Sequence, residues 1–327
     1  MKRIRQVSLL LAAAALLTCG CSRFSTKPLS FTGMAFDTVI AVQIYDSVDE
    51  EVLEHCKTMC SEYEQKFSAT IETSEISQIN SAGGAPVAVS EDTIELIKKG
   101  IYYSELSNGA FDITVGSVSS LWDFKSEEPI IPSPESIAEA KKHINYDKIV
   151  ISNNTVTLTD PQTKIDVGAI AKGYIADRLK DYLKSQGVKH AIINLGGNVL
   201  AIGGKPDGSS FNIGIRKPFH EEEEPLTTVK IKNKSVVTSG TSQRYFEKDG
   251  NLYHHIIDPA SGYPCNNGLN SVTIITNSSL TADALSTTCF LLGPDKGLRL
   301  VNQLDNVDAV FVDTNNEITY SRNFLKK

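Results

Sequence analysis

His190-Ala-Ile-Ile-Asn-Leu-Gly-Gly-Asn198 is an apolar run that ends in two adjacent glycines. Upstream of it, helical spacing over residues 170–186 stops at Gly187, a residue suited to closing a helix in the left-handed conformation. This is the longest helix expected in the chain. Downstream, strand-like stretches follow at 211–215 and 229–238 as hairpin-like neighbours. Parallel strands need a long crossover between them, whereas antiparallel strands do not. Further strands are predicted at 38–44, 252–257, 271–276 and 308–312. Ser47-x-x-Glu50 has the form of a capping box, and Val52, Leu53, Cys56, Met59, Cys60, Tyr63 and Phe67 follow at helical spacing. Another helix is expected from Ser90, burying Ile94, Ile97 and Ile101 and stopping at Asn108-Gly109. Ser133-Pro134 starts a third, with a cap and a first-turn proline. A last helix spans 280–292, bounded by Gly293-Pro294. This irregular alternation predicts an α+β fold, with mixed, largely antiparallel sheets packed with helices in a single large domain at 31–327.

The N-terminus has the form of an export signal over residues 1–20. Lys2, Arg3 and Arg5 precede an apolar run at 7–17, too short for a comfortable membrane span. The run ends at Thr18-Cys19-Gly20-Cys21-Ser22. A small residue directly before a cysteine resembles a lipoprotein cleavage site, so Cys21, preceded by Gly20, is the expected lipidation site. Cys19, preceded by the larger Thr18, is the weaker candidate, and an ordinary cleaved secretory signal is the alternative. Residues 21–30 then form a short tether, and the protein is expected lipid-anchored at the cell membrane on its extracytoplasmic face. Loss of the signal removes three basic residues and no acid, moving the formal charge from −7 to about −10. Such a balance argues against a nucleic-acid-binding stripe. Cys56, Cys60, Cys265 and Cys289 lack Cys-x-x-Cys spacing and are expected as buried thiols. The acidic run 221–224 is expected to be a solvated loop.

Three segments carry candidate chemistry. His254-His-Ile-Ile-Asp-Pro-Ala-Ser-Gly-Tyr-Pro264 sets two imidazoles and a carboxylate within five residues, then passes into turn residues. His255 and Asp258 therefore fall where a strand breaks into a loop, a usual place for catalytic groups. Asp166-Val-Gly-Ala-Ile-Ala-Lys-Gly-Tyr174 departs from a phosphate-binding P-loop, because Ala171 precedes Lys172 and Gly173 follows it. A glycine turn leading into a helix start still favours an anion, with Lys172 adding positive charge. The alternative is an ordinary strand-to-helix turn. Asp283 and Thr287, four apart on a helix, point the same way and supply two hard oxygen ligands suited to Mg²⁺. Alternatively, Thr287 bonds back to a helix carbonyl. Asn108-Gly-Ala-Phe-Asp112 is expected at a helix-to-strand turn, and Asn194 to Asn198 and Val237 to Gly240 are expected as two further glycine turns.

In order and spacing these segments resemble the bacterial FAD:protein FMN transferase (ApbE) family, from Met34 to about Gly297. The landmarks are Phe67-Ser, Ser74-Glu-Ile-Ser-Gln-Ile-Asn80, Gly109-Ala-Phe-Asp112, Leu121-Trp122, Asp166 to Tyr174, Asn194-Leu-Gly-Gly197, Thr238-Ser-Gly240, His255-Ile-Ile-Asp-Pro259 with Ser261-Gly-Tyr-Pro264, and Ala282-Asp-Ala-Leu-Ser-Thr287. The resemblance implies a flavin transferase. FAD would be the substrate, and a Thr or Ser hydroxyl of an exported target protein would accept the FMN moiety as AMP leaves. It implies Mg²⁺ held by the Asp283 and Thr287 side chains and the Ala169 carbonyl. Asp166 and Lys172 would contact FAD, with Met34, Ala110, Phe111, Asp112 and Ile257 lining the rest. His255 would be the general base, and Asp258 would orient it or bind substrate. His254 would point away. In one place the chain departs from the family: a tyrosine often found after Phe67-Ser is missing from Phe67-Ser-Ala-Thr-Ile71. Two other functions use the same residues: Mg²⁺-dependent hydrolysis of FAD to FMN and AMP, and flavin binding without chemistry.

Overall fold

The structure is a computed structural model that describes residues 27–124, 126, 128–219 and 225–324. The signal, Cys19, Cys21, the tether up to residue 26 and the acidic run 221–224 lie outside the described residues. Among the described residues, strands β1 (Leu29–Ala35) and β2 (Thr38–Ile44) come first and form a hairpin. The chain then leaves the sheet through α1 (Glu50–Phe67), α2 (Glu75–Ser81), β3 (Val87–Ala88), α3 (Glu91–Leu106), α4 (Gly116–Ser119), α5 (Pro134–Lys141), the hairpin β4 (Ile149–Ser152) and β5 (Thr155–Leu158), and α6 (Ala171–Ser185). It returns as β6 (Ala191–Leu195) and β7 (Asn198–Ile202), then forms the hairpin β8 (Phe211–Ile215) and β9 (Thr227–Ile231). After β10 (Ser235–Gly240) comes a third hairpin, β11 (Tyr245–Lys248) and β12 (Asn251–His254), and then β13 (Leu269–Thr276). Helix α7 (Ser279–Val301) and strands β14 (Asp308–Asp313) and β15 (Ile318–Tyr320) complete it.

The main sheet has the order β1-β2-β6-β7-β10-β13-β14-β15, and every neighbouring pair is antiparallel. It is a meander with insertions, the α+β arrangement expected. Side chains alternate across it as the strand period of two requires. Val237, Ile274, Ala309 and Phe311 join the core formed with the helices. Val236, Ile275, Val310 and Val312 pack instead with Phe211, Ile215, Val229 and Ile231 of the β8–β9 hairpin. Covered on both sides, β13 is buried along its whole length.

Local expectations fare unevenly. Ser90 and Ser133 cap α3 and α5 by accepting from Thr93 and Ser136. Gly196 and Gly197, with φ of 61° and 90°, form the β6–β7 turn. The capping box at Ser47 does not form: Asp49 is the cap residue of α1, without a side-chain bond. The 229–238 stretch is two strands, split by a turn with Asn233 at φ 50°. Gly240 lies inside β10 instead of in a turn, pressed against Ser271. Phe111-Asp112 leads into turns and α4, with one isolated bridge from Val115 to Lys164 in place of a strand. The longest unbroken helix among the described residues is α1, not the one over 170–186. Helix α7 breaks at Gly293 (φ 79°, ψ 174°), where the sequence placed the end of the last helix, and a second helical stretch follows. The four described cysteines are buried free thiols. No described helix is long and apolar enough to cross a membrane.

Candidate active site

A cavity of about 440 Å³ opens where α7, the N-terminal end of α6, the β1–β2 turn and the segment after β12 converge. Asp166, Ala169, Lys172, Asp283, Thr287, His255, Ile257, Phe111 and Asp112 all line it. Residues from four distant parts of the sequence thus share one cleft.

The start of α7 is fixed from below. Asp177 of α6 accepts from the Ser278 hydroxyl (2.8 Å) and from the Ser279 and Leu280 N–H groups (3.1 and 3.0 Å), satisfying donors that a helix start leaves open. The two helices touch at Gly173. A Cβ there would sit 2.4 Å from the Ser279 carbonyl oxygen and 2.7 Å from Asp283 Cβ. This close approach lets Gly173 N–H donate to Asp283 Oδ2 at 2.8 Å. One helix-start donor that the sequence offered to an anion is therefore already engaged by a carboxylate. Gly173→Ala is expected to destabilise the fold by about 1–3 kcal/mol through overpacking and to abolish this hydrogen bond. Chemical denaturation checks it; an unchanged midpoint contradicts the packing argument.

Asp283 is 3% exposed. Burial pushes its carboxyl upward, while the Lys172 charge, the Gly173 N–H and the Asn198 amide pull it down. A buried carboxylate beside a cavity, with one oxygen engaged by an N–H, is suited to a cation that enters with its own ligands. Thr287 is also buried and faces the same cavity. Among the described residues no group of three His, Cys, Asp or Glu side chains could hold a metal. The donor set is instead two hard side-chain oxygens plus the carbonyl-rich loop at Ala169. That fits Mg²⁺, which keeps waters and takes substrate phosphates.

The loop itself is shaped by Asp166, whose Oδ1 accepts from Gly168 N–H at 2.9 Å and whose Oδ2 accepts from the Ser119 hydroxyl at 3.1 Å. Lys172 Nζ donates to the Gly168 carbonyl at 3.2 Å. Asp166 lies outside the named strands, and its N–H donates to the Ile113 carbonyl at 2.7 Å.

Strand β12 ends at His254, one residue before His255. His254 is buried, with Nε2 3.0 Å from the Cys265 carbonyl oxygen and its ring edge-on to Phe290. It points away from the cavity, as expected for alternation along an extended segment. His255 Nδ1 lies 3.2 Å from the Arg244 carbonyl oxygen. A carbonyl only accepts, so the ring proton sits on Nδ1 and Nε2 keeps its lone pair. Burial, then the neighbouring Arg244 charge, lowers the His255 pKa to about 3. The free protein therefore holds a neutral imidazole in the tautomer a general base needs. A negatively charged group bound beside it would raise that pKa.

Three expected residues are not part of the cavity wall. Asp258 closes its own turn, accepting from the N–H groups of Ala260 (3.0 Å) and Ser261 (3.2 Å), and the His255 ring is held by a carbonyl instead. Met34 sits on the outer face of the β1–β2 hairpin opposite Val39, 71% exposed. Ala110 is half-buried behind Phe111 and Asp112. Asp112 does line the cavity, but its oxygens accept from Thr114 N–H, the Thr114 hydroxyl and Tyr146 N–H, so it holds the Phe111 turn. Motif reading missed Phe36 and Asp37, which form the β1–β2 turn at φ 55° and 58° and line the cavity. A phenylalanine at positive φ is uncommon and persists where its surroundings impose it; here Phe36 N–H donates to Glu64 Oε1 at 2.6 Å. Nothing in the sequence marks that strain. Arg244 and Ser239 were also missed.

A family model described as the ApbE family matches residues 36–311. A protein of Klebsiella pneumoniae (strain 342) named FAD:protein FMN transferase is 37% identical over 295 residues, covering 89% of this chain and 91% of that protein. A protein of the same name from Treponema pallidum (strain Nichols) is 32% identical, covering 90% and 87%. Among solved structures, the ApbE protein of Thermotoga maritima superposes with a TM-score of 0.85 at 33% identity, covering 91% of this chain and 98% of that one. The flavin transferase ApbE of Vibrio cholerae gives 0.79 at 26% identity, with the same coverages. On both sequence and architecture, this chain belongs to the ApbE family.

Proposed function

We propose that the protein is an FAD:protein FMN transferase that moves the FMN moiety of FAD onto a Thr or Ser hydroxyl of an exported target protein. The observation that carries this reading is the convergence of His255, Lys172 and the Asp283/Thr287 face of α7 on one cavity. Asp283, Thr287 and the Ala169 carbonyl would hold Mg²⁺, which when bound neutralises diphosphate charge. His255 Nε2 takes the proton of the acceptor hydroxyl. The hydroxyl oxygen bonds to the flavin-side phosphorus, the bond from that phosphorus to the bridging oxygen breaks, and AMP leaves. Lys172 and Arg244 supply positive charge along the wall. Little covalent chemistry is asked of the protein, so positioning and charge neutralisation account for the rate. Anchoring at the extracytoplasmic membrane face through a lipid on Cys21 belongs to this proposal, supported by the N-terminal sequence.

Incubation with FAD, Mg²⁺ and a candidate acceptor, followed by a denaturing gel, tests the reading. A fluorescent acceptor band is the expected result. FMN and AMP without that band would mean hydrolysis, and unchanged FAD would mean binding alone.

One stretch of the cavity wall bears on flavin retention. Ser68, Ala69, Thr70 and Ile71 line the cavity where the family resemblance implies a tyrosine, so that segment adds no ring to Phe36, Phe67 and Phe111 of the same cavity. Loss of one stacked ring weakens nucleotide retention by roughly 1–3 kcal/mol. The protein is therefore expected to purify with little flavin, and Thr70→Tyr to retain more. Absorbance of the purified proteins checks this; stoichiometric FAD in the parent contradicts it.

A further inference from the structure

A hydroxyl can offer lone pairs to a cation only if its proton points elsewhere, and the surroundings of Thr287 determine where that proton lies. Ser286, the preceding residue of α7, donates to the Asp283 carbonyl oxygen at 2.8 Å. The carbonyl has no proton, so the single Ser286 hydroxyl proton is committed there. Ser239 Oγ lies 2.7 Å from Ser286 Oγ, and the proton in that contact must come from Ser239. Ser239 Oγ also lies 2.8 Å from Thr287 Oγ1. With the Ser239 proton already engaged, the proton in this second contact must come from Thr287.

The relay therefore runs in one direction: Thr287 to Ser239 to Ser286 to the Asp283 carbonyl. We infer that Ser239 and Ser286 are positioning residues that turn the Thr287 proton away from the cavity and leave its lone pairs for a divalent cation. The inference rests on the reading of Asp283 and Thr287 as cation ligands. The fold builds the relay from two periodicities. Ser235, Val237 and Ser239 share one face of β10, and Ser235 meets Ser279 of α7 just as Ser239 meets Ser286 and Thr287. Ser286 is fully buried and does not line the cavity, whereas Ser239 and Thr287 do. Without Ser286, the Ser239 proton has Thr287 as its remaining partner. The contact can then reverse, freeing the Thr287 proton to point where the cation belongs.

The test uses proteins carrying His255→Ala, so that FAD is bound without turnover. Mn²⁺ is titrated in the presence of FAD and free Mn²⁺ is followed by electron paramagnetic resonance. Ser286→Ala and Ser239→Ala are each expected to bind Mn²⁺ roughly tenfold more weakly, the usual scale for a partner behind a metal ligand. Ser286→Cys, which keeps a weak donor, recovers part of that loss. FAD affinity measured without metal stays at the parent value in both Ser286 variants. Should Ser239→Ala fail to fold, Ser286→Ala alone carries the test. Full Mn²⁺ affinity in both serine variants, with weakened affinity in Thr287→Ala, overturns the relay and leaves the cation reading standing. Full affinity in Thr287→Ala overturns the cation reading and the relay with it. A parallel loss of metal-free FAD affinity in the Ser286 variants also overturns the relay, because Ser286 would then act only by holding the fold.

Discussion

His255→Ala is expected to lower flavin transfer by about 10²–10⁴-fold, the usual contribution of a positioned general base, while FAD binding stays close to that of the parent. The expectation comes from what the imidazole does in the free protein. It is neutral, its proton is directed at the Arg244 carbonyl, and its remaining lone pair is available to a hydroxyl. The pH dependence follows from the same geometry. The folded pKa is lowered from the ordinary 6.5 to about 3, so the folded protein resists protonating this ring. The stability it contributes is present above pH 6.5 and is lost as pH falls from 6.5 toward 3. The acid limb of kcat/KM, which reports the free enzyme, should accordingly lie well below 6.5. Turnover and FAD titration of the variant, with a pH–rate profile of the parent, check both statements. A His255→Ala protein that turns over at the parent rate removes the base from the mechanism.

The second large effect belongs to Asp283. Asp283→Ala should lower transfer at least roughly 100-fold, equivalent to about 2.7 kcal/mol of lost transition-state stabilisation. Asp283→Asn separates the charge from the packing. Burial raises the folded pKa of this carboxyl above its ordinary value. For a raised acid the folded state holds the proton longer than the unfolded chain does. Metal-free stability is therefore highest below the ordinary carboxylate range and is eroded as pH rises through the raised pKa. Mg²⁺ opposes that erosion by pairing with the ionised form. The parent should gain more in Tm from Mg²⁺ at pH 8 than at pH 5, and Asp283→Asn should gain little at either. Equal Mg²⁺ shifts in parent and variant contradict the assignment. Gly173→Ala, which disturbs the same contact from the α6 side, should reduce the Mg²⁺ shift in the same direction.

Much of the fold was legible because periodicity reports burial. The apolar spacing on α1, the serine caps of α3 and α5 and the Gly196-Gly197 turn are local signals, and each has a local physical cause. The errors arose where tertiary contact decides. Asp49 displaced Ser47 as the cap of α1. Gly240 remained in a strand because a close approach to Ser271, not a turn, required the glycine. The site was legible as a set of motifs, and nine of the residues those motifs supplied do meet in one cavity. Asp258 closes its own turn because an aspartate before proline serves a turn as readily as a histidine, and sequence alone does not separate the two. Phe36 was invisible, since its place depends on a positive φ imposed by the hairpin and by Glu64. Ser239 was hidden as well: its role comes from a neighbouring helix 47 positions away.

The most direct test is a count of products from one reaction with FAD, Mg²⁺ and an acceptor protein. Covalently bound flavin on the acceptor and released AMP are quantified together, by intact mass and by nucleotide chromatography. The account predicts one AMP for each flavin attached, no free FMN, and loss of both products in His255→Ala. AMP released together with an equal amount of free FMN, on an acceptor of unchanged mass, would contradict it.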